Sequence, residues 1–411
     1  MLALVPAQVF AAANSFSFTT EGDGAADFST EAAYSGVYSA KLSSGTADGA
    51  SAGKVSMSLT QSLSSITDIS FWYRISSVST AVPYGTMNAW PLYCREGTTF
   101  ALTADGYYSP YLILKIDVAG TPHWIMSQIW AEPAENLDTW IQWKMSDHAI
   151  PYGGGIPTVA LWHDESFTNA GGPGTGSWPA GWGPLSFFQA HYAGATIVTV
   201  GIAAGWWSFN QPQVAYVDSL SINGIGYDIE FTTATGSGTA TFNPTIGTIT
   251  GLTAVSEDAL PTSGKPNLTF PHAFFSFTVT GLAPGDSVTV TITLPSAVPV
   301  GTQYWKYGPT PGNLVDHWYQ IPIGDDDGDD VIAVPLVDGG LGDDIVTVAD
   351  GKIVDQGGPG SPSPATVTGT PVGGFLEPVN KLNVLTPYSA LLGLVATVAI
   401  VVAAPWKKRK S

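Results

Sequence analysis

One cysteine, Cys94, stands in 411 residues, so no disulfide can form within the chain. Core packing, alone or together with metal, must hold the fold together. As a residue type, a lone cysteine is more often a small buried hydrophobe than a reactive thiol. Charge is scarce too, at 11% Asp, Glu, Lys and Arg, and it is one-sided: 33 acidic residues against 14 basic ones give a formal net charge of −19. Such a surface repels nucleic acid and attracts cations. The six histidines form no HExxH pair. Gly49-Ala50-Ser51-Ala52-Gly53 matches the string of a nucleophile elbow, but it lies in a run of small residues with no helix after it. Asp164 and Glu165 are adjacent, not set across a cleft as the paired carboxylates of a glycosidase would be. Nothing in the sequence therefore marks an active site, although a missing motif does not exclude an enzyme.

What the chain has is turn-forming residues and alternation. It carries 47 Gly and 30 Pro, and 44% of it is hydrophobic. Long amphipathic helices are absent from the pattern, and the composition is that of an all-β protein. Strand signals recur from Ser15 to about Asp228, among them Ser56 to Leu59, Ile69 to Ile75, Tyr111 to Ile116, Ile197 to Ala203 and Val214 to Ile222. They predict a β-sandwich over residues 14–228. A second sandwich is predicted over 229–355, where Phe274 to Thr280 and Ser287 to Leu294 flank Gly281-Leu282-Ala283-Pro284-Gly285, a turn in which Pro284 fixes φ and Gly285 accepts positive φ. Residues 356–383, rich in Gly, Pro, Ser and Thr, read as a stalk.

The end of the chain is the longest uncharged run. Between Lys381 and Lys407 there is no charge, and the apolar residues of Tyr388 to Ala404 fall on every face of a helix. A single transmembrane helix is predicted over 384–406, with Tyr388 and Trp406 at the interfaces. Lys407, Lys408, Arg409 and Lys410 form a cytoplasmic tail at 407–411. The alternative is a buried core helix. The first thirteen residues have the apolar stretch and the small residues Ala11 and Ala13 of a signal peptide, without its basic start, so they read either as part of one or as a short apolar strand. The expected fold class is thus two tandem β-sandwich domains, jelly-roll-like and then Ig-like, plus one C-terminal membrane helix. The expected localisation is the cell membrane, single-pass, with most of the chain outside.

Eleven of the fourteen tryptophans precede residue 208. Trp72, Trp140, Trp143 and Trp162 sit in strand patterns and are expected in the core. Trp178 and Trp182 belong to the loop from His163 to Pro184, long and rich in Gly and Pro, where binding residues concentrate. With Asp164 and Glu165 they are the candidate ligand-binding set; a loop that folds its own Trp onto the sheet is the alternative. Eleven Asp lie between Asp316 and Asp355. Alternate residues of an extended turn point the same way, so Asp325, Asp327 and Asp329 are candidate calcium ligands, with Asp343 or Asp344 closing the site. A solvated acidic turn explains the same run. An EF-hand does not fit, because aligning Gly328 with the loop glycine puts Ile323 and Val334 at ligand positions.

Two stretches of the first segment, Tyr34-Ser35-Gly36-Val37-Tyr38-Ser39-Ala40-Lys41-Leu42 and Ala215-Tyr216-Val217-Asp218-Ser219-Leu220-Ser221-Ile222, resemble the jelly-roll modules that bind carbohydrate or form receptor-like surface domains. That resemblance implies a structural calcium shared by Glu21 or Asp23 with Asp218; an exposed carboxylate at a strand edge is the alternative for Asp218. The second segment, from Phe270-Pro271-His272 through Tyr304-Trp305-Lys306-Tyr307, Gly324 to Asp330 and Ile353 to Gly360, resembles the choice-of-anchor U domain. This family implies a β module placed just before a C-terminal anchor on prokaryotic surface proteins, and no catalytic residues. Together these readings describe a membrane-anchored surface protein whose outer sandwich binds glycan or another ligand without catalysis. A tethered glycan-active enzyme and a purely structural envelope protein are the competing functions.

Overall fold

The computed structural model describes residues 9–10, 16–45, 51–82, 93–95, 106–127, 129–146, 149–150, 161–164, 182–205, 212–324 and 328–362. Residues 1–363 form one compact unit, and the second unit, Pro364–Ser411, lies outside the described residues. The first sandwich faces two seven-stranded sheets against each other. In one, Val214–Ile222 pairs with Ser39–Ser43 and with Ile69–Ile75, which in turn pairs with Ile141–Lys144. The other is centred on Thr196–Gly205, between Ala52–Ser62 and Tyr111–Val118. Alternation decides what goes inside: Phe71, Tyr73 and Ile75 of one sheet and Leu112, Leu114 and Ile116 of the other are buried, while Trp72, Arg74, Ile113 and Lys115 between them are partly exposed.

The second sandwich sets the three strands Thr241–Pro244, Ser287–Thr293 and Val331–Val337 against five, in the order Thr248–Val255, Phe274–Thr280, Ile353–Gly360, Gln303–Thr310 and Asn313–Ile321. All of these pairings are antiparallel. Gly285 adopts φ of 88°, as the sequence of its turn predicts.

The two sandwiches are not beads on a string, because one hydrophobic core runs through both. Phe28 lies 5.8 Å from Phe231, which lies 5.5 Å from Phe242, itself 5.0 Å from Phe275, all edge to face. Beside them the Phe242 N–H donates to the Tyr38 hydroxyl (2.7 Å), and the Gly251 N–H donates to the Asp27 carboxylate.

Three expectations change. The described residues are all-β, without the expected membrane helix: the α-helix among them is Leu185–His191, seven residues, and none of their helices is long and apolar enough to cross a membrane. The stretch 384–406 lies outside the described residues. No pattern in the sequence predicts that short helix; it begins after Pro184 and buries Leu185 and Phe188. The stalk does not begin at residue 356, since Ile353–Gly360 is an interior strand of the five-stranded sheet. Its glycines are there for packing: a Cβ at Gly358 would lie 2.8 Å from the Phe274 ring. Val9–Phe10 pairs in parallel with Ile225–Gly226, a short strand as in one of the two readings of that stretch.

Candidate functional site

The outward face of the first sheet carries aromatic rings beside fixed charges. Trp72 and Arg74 alternate with the buried Phe71, Tyr73 and Ile75, so both point away from the core. Register places Trp72 opposite Gln142 and Asp218, Arg74 opposite Tyr216, and Tyr216 opposite Lys41. Tyr34 lies over this face. Its ring stacks on Trp72 with centroids 4.0 Å apart and planes 14° apart, meets Trp140 edge-on at 5.8 Å, and is 38% exposed. One step along the sheet, Lys41 and Arg74 flank the Tyr216 ring at 5.7 and 5.6 Å. Glu31 accepts from Lys41 at 2.7 Å and from the Tyr216 hydroxyl, and Arg74 pairs with Asp138 at 3.1 Å. Burial works against the Glu31 carboxylate, but Lys41 and Tyr216 outweigh it and hold its pKa below the ordinary value. Exposed pairs of this kind add little stability. Their effect is to fix the direction in which polar groups point.

Asp218 holds Tyr34 in place. One carboxylate oxygen accepts the N–H of Tyr34 (2.8 Å) and of Ser35 (3.1 Å), and the other accepts the N–H of Ser219 (2.7 Å). The Ser35 hydroxyl donates to Asp228 at 2.6 Å. Gly36 has φ of 61°, and a Cβ there would fall 2.7 Å from the Asp228 carboxylate, so the turn needs glycine. Burial first, and then the neighbouring Asp228, push the Asp218 pKa up to about 8. The folded state therefore holds a proton that an unfolded Asp, with a pKa of about 3.9, has already released. The stability it contributes is complete below about pH 4 and is lost as pH rises to about 8. Asp218→Asn should flatten that decline in urea unfolding series between pH 4 and 8; an unchanged slope would mean that Asp218 does not titrate there.

The residues singled out in the sequence end up apart. Asp164 is buried and accepts the Tyr192 hydroxyl at 2.5 Å, 3.9 Å from His123, so it ties its strand to the end of the short helix. Trp182 begins the strand Trp182–Pro184, opposite His163. Glu165 and Trp178 lie outside the described residues. Trp143 and Trp162 are fully buried, as expected, but Trp72 and Trp140 are half-buried on the outward face.

The acidic residues are also dispersed. Glu21 pairs with Lys54, Asp23 with the Ser51 hydroxyl, and Asp218 with the turn at residue 34. Asp343 is buried and accepts the N–H groups of Gly339, Ile345 and Val354 at 2.9, 3.2 and 2.9 Å, so it stitches loops together. Asp344 turns to Lys306 at 3.3 Å, and Asp329 accepts the Val331 N–H at 2.7 Å. Asp325 and Asp327 lie outside the described residues, among which no group of three carboxylate, His or Cys side chains is placed to hold a metal.

No family model matches the chain, and no curated protein does. Among solved structures it is similar to the N-terminal CBM22-1–CBM22-2 tandem domain of Xyn10C from Paenibacillus barcinonensis, at 9% identity and a TM-score of 0.23, over 87% of this chain and 92% of that one. It is also similar to the Spr0440 glycoside hydrolase domain, Endo-D, of Streptococcus pneumoniae R6, at 10% identity and a TM-score of 0.18, over 78% of this chain and 32% of that one. Both scores are too low for either likeness to carry a conclusion.

Proposed function

We propose that this protein binds glycan, without catalysis, on the outward face formed by Tyr34, Trp72 and Trp140, with Gln142, Arg74 and Glu31 as the polar groups beside them. The observation that supports this reading is the stacked Tyr34–Trp72 pair set on a rigid sheet next to oriented charges. A sugar ring offers an apolar C–H face and a rim of hydroxyls. Aromatic planes take the first, and side chains already held by hydrogen bonds take the second at little entropic cost. A glycan hydrolase would need two carboxylates facing across roughly 5 to 10 Å. Asp218 and Asp228 instead both hold Ser35, one accepting its N–H and the other its hydroxyl, beneath the turn at residue 34, which suits positioning. The second sandwich, through its resemblance to choice-of-anchor U modules, serves in this reading as a structural stem. Calcium held by Asp325, Asp327 and Asp329 would stiffen it.

A glycan-array screen of the full chain tests the reading. The expected result is retention of a defined set of glycans, each recovered uncut after incubation. No retention, or release of cleaved product, would overturn it.

A further inference from the structure

Inside the second sandwich a lysine lies where a lysine is rarely stable. Lys306 points inward from the strand Gln303–Thr310 and its side chain has no exposure; the same is true of Asp355 on the neighbouring strand Ile353–Gly360. The ammonium nitrogen lies 2.9 Å from Oδ1 of Asp355 and 3.3 Å from Oδ1 of Asp344. Neither of those two oxygens accepts a hydrogen bond. Nζ is instead directed at the carbonyls of Gly342 (2.5 Å) and Val354 (3.3 Å). The other oxygen of Asp355 accepts the Tyr304 hydroxyl at 2.7 Å. A Cβ at Gly357 would collide with the Tyr304 ring and lie 2.9 Å from the Lys306 stem, so the strand is bare where these side chains cross it.

We propose that Lys306 and Asp355 become joined by an amide bond between Nζ and Cγ, with Asp344 relaying protons and Tyr304 holding the oxygen that remains. A neutral amine has two N–H donors and one lone pair. With Gly342 and Val354 taking the donors, the lone pair is left for the Asp355 carboxyl, whose Oδ1 is 2.9 Å away. The ammonium passes one proton to Asp344, which hands it to Oδ1 of Asp355; the neutral amine then attacks Cγ of the resulting carboxylic acid to give a tetrahedral centre whose oxyanion is Oδ2, stabilised by the Tyr304 hydroxyl. A second proton, from the nitrogen, follows by the same route, and Oδ1 leaves as water. Ammonium plus carboxylate give amide plus one water, so atoms and charge balance with no co-reactant. Burial favours the step because it penalises both charges that the bond removes, and the fold holds the two groups in contact. The bond would cross-link two adjacent strands in a chain that has no second cysteine to do so.

The test is a tryptic digest of the purified full chain, read by mass spectrometry. The expected product is a branched peptide containing both Lys306 and Asp355, uncut at Lys306 and lighter than its two parts by one water. Asp344→Ala, checked for folding by circular dichroism, should give the two linear peptides instead. Linear peptides ending at Lys306 in full yield from the unmodified chain would overturn the bond. The branched peptide in undiminished yield from Asp344→Ala would overturn the relay.

Discussion

Measured against a parent chain in which the Lys306–Asp355 amide has not formed, Lys306→Met should destabilise the fold by about 3–5 kcal/mol, the loss expected when one partner of a buried ion pair is removed. Its side chain and that of Asp355 have no exposure, so the Asp355 carboxylate would keep only the Tyr304 hydroxyl. Burial works against the Lys306 ammonium, but Asp355 and Asp344 outweigh it and keep its pKa above the ordinary value. Burial drives the Tyr304 hydroxyl well above its ordinary range, with Asp355 adding to the effect, so it stays a donor. Methionine matches the length of the stem and creates no cavity, which isolates the charge from the packing. The double variant Lys306→Met, Asp355→Leu should recover much of the loss, because Asp344 is 28% exposed and can turn to solvent. Urea unfolding of the single and double variants measures both effects. A single variant as stable as the unlinked parent would show that the ion pair contributes nothing.

The second large effect is expected on binding. Replacing Trp72 by Ala removes the platform on which Tyr34 stacks, and replacing Tyr34 removes the ring that is most exposed. A ring stacked on a ligand contributes on the order of 1–3 kcal/mol at a binding hot spot. Either change should therefore weaken binding about 10- to 100-fold, and the pair should abolish it. Trp124→Ala is the control. It is 46% exposed on the opposite sheet, where it packs under Lys115 at 5.4 Å, and its loss should leave binding unchanged. Calorimetric titration with a glycan retained in the screen separates these variants; equal affinities throughout would place binding elsewhere, with the loop bearing Trp178 and Trp182 next in line.

The strands were legible because alternation and turn chemistry agree locally. Ile69–Ile75 and Val214–Ile222 have the bounds that their patterns suggest, and the turn at Gly285 has the conformation that its sequence requires. The surface site was less so. In Ile69–Ile75 the parity that buries Phe71, Tyr73 and Ile75 sends Trp72 outward with Arg74, so parity separates a platform Trp from a core Trp better than strand membership does. The position of Tyr34 depends on Asp218, distant in sequence, and no local pattern encodes that contact. The same parity in Tyr304-Trp305-Lys306 points Lys306 inward, against its chemistry. A lysine there implies buried acids, and they come from Asp344 and Asp355, which sequence reasoning assigned to a metal loop and to the end of the domain. Gln356–Gly360 looked like stalk because its glycines signal turns; they serve close packing against Tyr304 and Phe274 instead.

Hydroxyl-radical footprinting of the full chain, with and without a saturating glycan from the array screen, tests the central claim most directly, since it reads each exposed ring without altering the protein. The expected result is protection of Tyr34, Trp72 and Trp140 with no change at Trp124. Protection confined to Trp124, or to Trp178 and Trp182, with Tyr34 and Trp72 oxidised as in the free protein, would contradict the assignment of the binding face.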